Sequence, residues 1–82
     1  MDDIRKQIKE LLVERLFLDI KPQSIEDEKP LAEYGVDSFL LLEMIVAMEE
    51  QFGVTFEQSE ITAEVLKSVG SLARLVEGKL NG

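Results

Sequence analysis

The chain contains no Cys, no His and no Trp, and its five Gly residues stand singly. Without Cys no disulfide can form, so packing alone must hold the domain together, and nothing indicates a secreted, oxidised scaffold. Without His and Cys there is no ordinary general base near neutrality, no thiolate nucleophile and no soft metal ligand. The isolated Gly residues form no phosphate-binding loop. We therefore predict neither a catalytic site nor a metal site, and we expect a protein that is not an enzyme.

Basic residues are also scarce. Nine Lys and Arg stand against seventeen Asp and Glu, which gives a net charge of −8 at pH 7. This balance repels nucleic acid and disfavours anionic membrane surfaces, since both are bound through Lys and Arg. It permits steering toward partners with basic patches, although acidity also serves simply to keep small domains soluble.

No apolar run reaches membrane-spanning length, because Glu43 and Glu49 interrupt the longest apolar stretches. The first seven residues are acidic and then mixed, unlike the basic start and apolar middle of a signal peptide. We expect a cytoplasmic protein without membrane insertion. Its 82 residues, 45% of them apolar, predict one small globular domain spanning residues 1–82, which we expect to be a monomer.

The spacing of the apolar residues predicts three longer helices and one short one. The expected ranges are 3–18, 38–52, 60–66 for the short helix, and 69–80. The fold class is therefore predicted to be all-α, a small four-helix bundle with a long loop, 19–37, between the first and second helices. A loop of this length is normally either held against the helices by its own apolar side chains or functional. The apolar residues expected to pin it are Ile20, Ile25, Leu31, Tyr34 and Val36.

The second predicted helix begins abruptly after Gly35, where either Asp37 or Ser38 can serve as its N-cap. Ser38 therefore places a hydroxyl at the helix end that attracts negative charge. Taken alone, Ser38 needs no role beyond capping. The residues at helical spacing on the expected inner face are Leu41, Met44, Ile45, Met48 and Phe52. Phe39, Leu40 and Val46 lie off the centre of that face. A helix with a single buried face does not need apolar residues at those positions.

The segment 31–52, which reads LAEYGVDSFLLLEMIVAMEEQF, resembles the acyl carrier protein family. That family has an Asp-Ser-Leu motif at the start of its second helix, just after a Gly. Asp37 and Ser38 match the motif, Phe39 replaces its Leu, and the resemblance extends over nearly the whole chain. It implies that a phosphopantetheinyl transferase attaches phosphopantetheine to Ser38 through a phosphodiester. Asp37, as the motif partner, would act in capping or in recognition by the transferase.

The resemblance implies a carrier that holds acyl intermediates as thioesters on the phosphopantetheine arm. It would present them to acyl-transferring, condensing and acyl-processing enzymes with basic patches, in fatty acid or polyketide-type biosynthesis. Fatty-acid-type carriers usually have a polar or acidic residue at the position of Leu40, so the sequence leans slightly away from that pathway. The alternatives are a peptidyl (aminoacyl) carrier and an unmodified acidic helical adaptor that binds a partner protein. A small hydrolase using carboxylates is disfavoured, because no carboxylates converge.

Two further sets of residues follow from this resemblance. We hypothesise a partner-docking face formed by Phe39, Leu40 and Val46 and ringed by Glu43, Glu49 and Glu50. In this hypothesis Leu40 distinguishes the partners; the alternative is that Leu40 and Val46 pack under the loop 19–37. Candidates for an acyl pocket are Met44, Ile45 and Met48, because Met adapts its shape readily, although ordinary core packing is the favoured interpretation for the Met residues.

Overall fold

The computed structural model describes residues 2–81, and side chains from Ile4 onward. Its three α-helices are α1, Asp2–Leu16, α2, Ser38–Phe52, and α3, Val69–Asn81. The connections contain three short 3-10 helices, Pro22–Ser24, Leu31–Tyr34 and Gln58–Glu60. Residues 2–81 include no β-strand, so the prediction of an all-α fold is confirmed.

The helices begin and end close to where the sequence predicts. α2 has the predicted bounds, and α3 extends one residue beyond them. α1 ends at Leu16 rather than at residue 18, because Phe17 takes a left-handed backbone conformation with φ 56°. That conformation costs a non-Gly residue about 1–2 kcal/mol. Gly53 ends α2 in the same region, with φ 66°, as the sequence indicates.

The short predicted helix at 60–66 is not an α-helix, so the four-helix count is not confirmed. The chain instead forms the 3-10 helix Gln58–Glu60 and then one turn, in which Leu66 N–H donates to the Thr62 carbonyl over 3.0 Å. Two capping contacts divide the segment: the Glu60 carboxylate accepts from Glu57 N–H at 2.8 Å at the start of the 3-10 helix, and Thr62 Oγ1 accepts from Val65 N–H at 3.2 Å at the start of the following turn. The segment therefore forms two short turns with separate starts, and a helix of this length has little stability of its own.

The same Glu60 carboxylate also pairs with the ammonium of Lys79 in α3, at 2.6 Å. The hydrogen bond from Lys79, and then the one from the Glu57 amide, hold the pKa of Glu60 below its ordinary value. This pair ties the connection between α2 and α3 to the last turn of α3.

α1 is the central helix, because it packs against both α2 and α3. Gln7 in its first half accepts a hydrogen bond from Gln51 near the end of α2, at 2.8 Å. Arg15 near its end lies 2.8 Å from the Glu50 carboxylate and shares a cleft with Phe39 of α2. Polar side chains from both halves of α1 therefore contact α2. The buried hydrophobic residues form one core: Ile8, Leu11, Leu12, Leu16, Ile25, Leu31, Val36, Met44, Ile45, Ala47, Met48, Phe56, Val69, Leu72, Ala73 and Val76.

The long loop is anchored largely as predicted. The buried anchors are Ile25, Leu31 and Val36. Tyr34 is partly buried, and its hydroxyl accepts a hydrogen bond from Glu26 N–H at 2.8 Å. Ile20 is 36% exposed, so the prediction that it pins the loop is wrong. It lies just after the end of α1, outside the segment that the other anchors hold down.

Polar contacts hold the middle of this loop to α1 and α3. The Asp27 carboxylate lies 2.6 Å from Lys9 Nζ and 3.6 Å from Arg5 Nε, both on α1. Its carbonyl accepts from Gly70 N–H in the first turn of α3 at 2.7 Å, and Leu31 N–H donates to the Lys67 carbonyl at 2.7 Å. The loop therefore places Val36 and the residues after it in one defined position at the start of α2.

Candidate functional site

The N-terminus of α2 is capped by Asp37, which settles the choice between the two candidate caps. Asp37 has extended backbone, and its Oδ1 accepts from Leu40 N–H at 2.9 Å. Its carbonyl accepts from Leu41 N–H at 3.0 Å, the first hydrogen bond of the helix. Gly35, with φ 84°, turns the chain just before this point, a conformation that Gly adopts without strain. Ser38 is therefore the first helical residue, and its hydroxyl is not needed for capping.

Ser38 lies on the surface with its side chain exposed. Among the hydrogen bonds between described residues, none uses the backbone N–H of Ser38 or of Phe39. These amides belong to the first helical turn, which has no intrahelical acceptor for them, and they point in the direction that favours an anion. A phosphodiester on Ser38 Oγ therefore fits this end of α2. The Asp37 carboxylate opposes it by like charge, although one of its oxygens is already engaged by Leu40 N–H.

A row of exposed residues runs along α2 from this end. Phe39 is 73% exposed, Leu42 58% and Val46 53%, and together with Glu43 they line an open cleft with Arg15 of α1. Their spacing of i, i+3, i+4 and i+7 places the four α2 residues on one side of the helix. We call Phe39, Leu42, Glu43 and Val46 the α2 stripe.

Leu42 is the member of the α2 stripe that the sequence hypothesis left out. It follows Phe39 by three residues and precedes Val46 by four, so helical spacing alone could have included it. Leu40 takes a different position, half-buried against the hydrophobic core. One residue along a helix is a rotation of about 100°, so Leu40 does not share a face with Phe39. Val46 is exposed and is not packed under the loop.

The three glutamates of the hypothesised docking face lie in three different settings. Glu43 is exposed beside the cleft. Glu50 pairs with Arg15 of α1 at 2.8 Å, with both side chains largely in solvent. Glu49 is partly buried, and its Oε2 accepts from Phe56 N–H at 2.9 Å. Glu49 therefore holds the connector after α2 in place, and two of the three carboxylates have partners within the fold.

The acyl-pocket candidates lie together on the inner side of α2. Met44 and Met48 are fully buried, and Ile45 is nearly so. All three belong to the hydrophobic core between the helices. Ala47 is also fully buried on this side.

Neither a metal site nor a membrane-spanning helix emerges from the part of the chain that the structure describes. Within residues 2–81, no group of three or more Asp and Glu side chains is placed to hold a metal ion. None of the helices formed by these residues is both long and apolar enough to cross a membrane.

The fold and the serine at the start of α2 define a small helical carrier domain, and comparisons with known proteins agree. The family model described as "Phosphopantetheine attachment site" matches residues 6–76. An acyl carrier protein of Wolinella succinogenes is 34% identical, covering 85% of this chain and 88% of the relative. An acyl carrier protein of Petrotoga mobilis is 33% identical, covering 98% and 91%.

A solved structure shows the same fold. The solution NMR structure of a holo acyl carrier protein from Nitrosomonas europaea matches with a TM-score of 0.84 and 28% identity, covering 95% of this chain and 96% of that one. The chain belongs to the acyl carrier protein family, and phosphopantetheine is its covalently attached prosthetic group.

Proposed function

We propose that Ser38 is the residue to which phosphopantetheine is attached, and that the protein carries acyl groups on this arm. The observation that carries the proposal is the position of Ser38: its exposed hydroxyl opens α2 beside two free amides, while Asp37 does the capping. The motif match of Asp37 and Ser38 to the family supports it. When bound, the group supplies a flexible thiol that holds an acyl chain as a thioester.

The chain's own residues prepare Ser38 for modification but do not catalyse it. The N–H groups of Ser38 and Phe39 can donate to the phosphodiester once it has formed. The chain has no His and no Cys, so it offers no side chain whose ordinary pKa lies near neutrality. The base that accepts the Ser38 hydroxyl proton therefore belongs to the phosphopantetheinyl transferase. In this proposal the protein is a carrier on which enzymes act, and it is not itself an enzyme.

We further propose that the enzymes that exchange acyl groups with this carrier dock on α2. Its exposed apolar residues are framed by Glu43, a composition normal for transient interfaces. Because Leu42 is exposed and Leu40 is half-buried, we centre the proposed docking face on the α2 stripe rather than on Leu40. Such a face suits partners that combine an apolar depression with basic residues, which fatty acid, polyketide and peptidyl routes can all supply.

Met44, Ile45 and Met48 remain the candidates for contact with a sequestered acyl chain. Their side chains lie on the buried side of α2, in the core. The flexible Met side chains can change rotamer at low cost. An acyl chain entering there would displace the contacts that these residues now make within the core. Their role in the structure as it stands is core packing.

The test is a loading reaction followed by mass spectrometry. The protein is incubated with coenzyme A and a phosphopantetheinyl transferase, and we expect a gain of one phosphopantetheinyl group. Ser38→Ala should abolish the gain, whereas Ser59→Ala, which removes another exposed hydroxyl, should leave it unchanged. Absence of any gain in the unaltered protein would favour the unmodified adaptor. A gain that persists in Ser38→Ala would place the attachment elsewhere.

A further inference from the structure

One end of the cleft on α2 lies beside Ser38. The residues that line this cleft are Arg15 of α1 and Phe39, Leu42, Glu43 and Val46 of α2. Phe39 directly follows Ser38 in the chain, and Leu42 follows it by four residues in the same helix. Residues four apart are neighbours on a helix surface, with Cβ atoms about 5–6 Å apart. A group attached to the Ser38 hydroxyl is therefore tethered at the entrance of the cleft.

The cleft and a phosphopantetheine arm have comparable lengths. Val46, at the far end of the α2 stripe, follows Ser38 by eight residues, which is a rise of about 12 Å along the helix. The arm has about fourteen bonds between the Ser38 oxygen and its sulfur, and three such bonds span about 3.5 Å, so the extended arm reaches about 16 Å. An arm attached to Ser38 is therefore long enough to lie along the whole cleft.

The apolar wall of the cleft suits the first part of the arm. Phosphopantetheine carries two methyl groups on the carbon that follows the phosphoester methylene. Leu42 and Val46 are each more than half exposed, so an apolar group that covers them removes apolar surface from water. A short flexible tether also keeps the arm at an effective concentration of about millimolar beside these side chains. A weak contact is therefore enough to hold the arm.

The polar residues of the cleft suit the two amides of the arm. The Glu43 carboxylate is exposed and can accept a hydrogen bond from an amide N–H. Arg15 donates to the Glu50 carboxylate at 2.8 Å. A guanidinium has five N–H donors, so Arg15 can also donate to an amide carbonyl of the arm. The cleft therefore offers both a donor and an acceptor next to its apolar wall.

We propose that the phosphopantetheine arm rests in this cleft while it carries no acyl group, with its methyl groups against Leu42 and Val46. The inference rests on Ser38 being the attachment residue. Because the α2 stripe is also the proposed docking face, an enzyme that docks there displaces the arm from the cleft. Docking and release of the arm are thereby coupled, so the thiol is freed where an enzyme is present to use it.

The first test is NMR spectroscopy of the loaded protein. Isotope-labelled protein is loaded to completion with unlabelled coenzyme A and a phosphopantetheinyl transferase, and the mass gain is checked. We expect isotope-filtered NOEs between the methyl protons of the arm and the methyl groups of Leu42 and Val46. NOEs to Met44 or Met48 in their place would put the arm in the core and overturn the proposal. Absence of NOEs to Leu42 and Val46 would overturn it as well.

The second test measures the reactivity of the arm's thiol. The chain has no Cys, so this thiol is the only one in the loaded protein. A variant carrying both Leu42→Ala and Val46→Ala should react with a neutral alkylating reagent about threefold faster than the unaltered protein, as expected if about two thirds of the arms occupy the cleft. The matched control is Leu80→Ala, which shortens an apolar side chain that is 50% exposed outside the cleft and should leave the rate unchanged.

The outcomes separate this inference from the proposed function. Equal alkylation rates in the unaltered protein and in the variant with both cleft substitutions would overturn the resting position of the arm. An equal rise in Leu80→Ala would do the same, because the effect would not depend on the cleft. In both cases the mass gain would still support Ser38 as the attachment residue. Failure of the unaltered protein to gain mass would instead contradict the proposed function.

Discussion

The two sides of α2 carry almost equally apolar residues that do different things. On the inner side, Met44 and Met48 are fully buried in the core, whereas on the outer side Phe39, Leu42 and Val46 are each more than half exposed. Burying an apolar side chain is the main favourable contribution to folding, so the inner side stabilises the domain. The outer side gives up that stabilisation and keeps an apolar surface available to partners. Side-chain chemistry does not distinguish the two sides; their contact with α1 does.

The largest difference in the free energy of unfolding is expected between variants of Met48 and Val46. Met48→Ala removes a fully buried side chain and should lower the free energy of unfolding by about 2–5 kcal/mol. Val46→Ala shortens an exposed side chain and replaces a β-branched residue with a better helix former, so its effect should stay within about 0.5 kcal/mol. Urea unfolding of both variants measures the difference. Equal losses would mean that α2 does not have distinct inner and outer sides.

A smaller difference in stability is expected between variants of Leu40 and Leu42. The sequence hypothesis included Leu40 in the docking face and left Leu42 out. Leu40→Asp places a charge against the core and should destabilise the protein by about 2 kcal/mol. Leu42→Asp changes an exposed residue of the α2 stripe, so it should leave stability nearly unchanged and slow acyl transfer. Unfolding midpoints and acyl transfer rates are measured on the same preparations. A stable Leu40→Asp with slow transfer, beside a normal Leu42→Asp, would restore Leu40 as the residue that partners read.

The smallest difference in the free energy of unfolding is expected between variants of Glu49 and Glu50. Glu49→Ala removes the acceptor of the Phe56 amide and should cost about 1.5 kcal/mol, since hydrogen bonds to charged groups are stronger than neutral ones. Glu50→Ala breaks only a solvent-exposed pair with Arg15 and should cost no more than about 0.5 kcal/mol. Unfolding in low and high salt provides the measurement. A larger cost for Glu50, lost in high salt, would mean that its pair with Arg15 contributes more than exposed pairs normally do.

Local signals account for the parts that the sequence predicts well. Asp37 and Gly53 have the side chain and the backbone freedom that a helix start and a helix end require, so the bounds of α2 follow from a few neighbouring residues. Ser68 is a similar case, since its Oγ accepts from Ser71 N–H at 3.3 Å where the start of the last helix was predicted. These features depend on residues within a few positions of each other.

The differences arise where distant parts of the chain meet or where short segments are capped locally. Ile20 is apolar but lies outside the anchored part of the loop. Leu40 is half-buried against a core that the helical pattern does not locate, while its place in the docking face stays a hypothesis. The segment 60–66 forms a 3-10 helix and a separate turn instead of one helix, because Glu60 and Thr62 cap two different short turns. Phe17 adopts a backbone conformation that nothing in its residue type indicates.

The sequence by itself determined what kind of protein this is. The lack of His and Cys leaves no imidazole, thiolate or soft metal ligand, the net charge of −8 disfavours nucleic acid, and the motif at Asp37 and Ser38 resembles one family. Only the tertiary structure decided which residues the surface presents. Helical periodicity limits which residues share a side of α2, but contact with α1 selects the side that is buried. For that reason Ser38 could be named from the sequence, whereas the exposure of Leu42 and the half-burial of Leu40 became visible only in the folded chain.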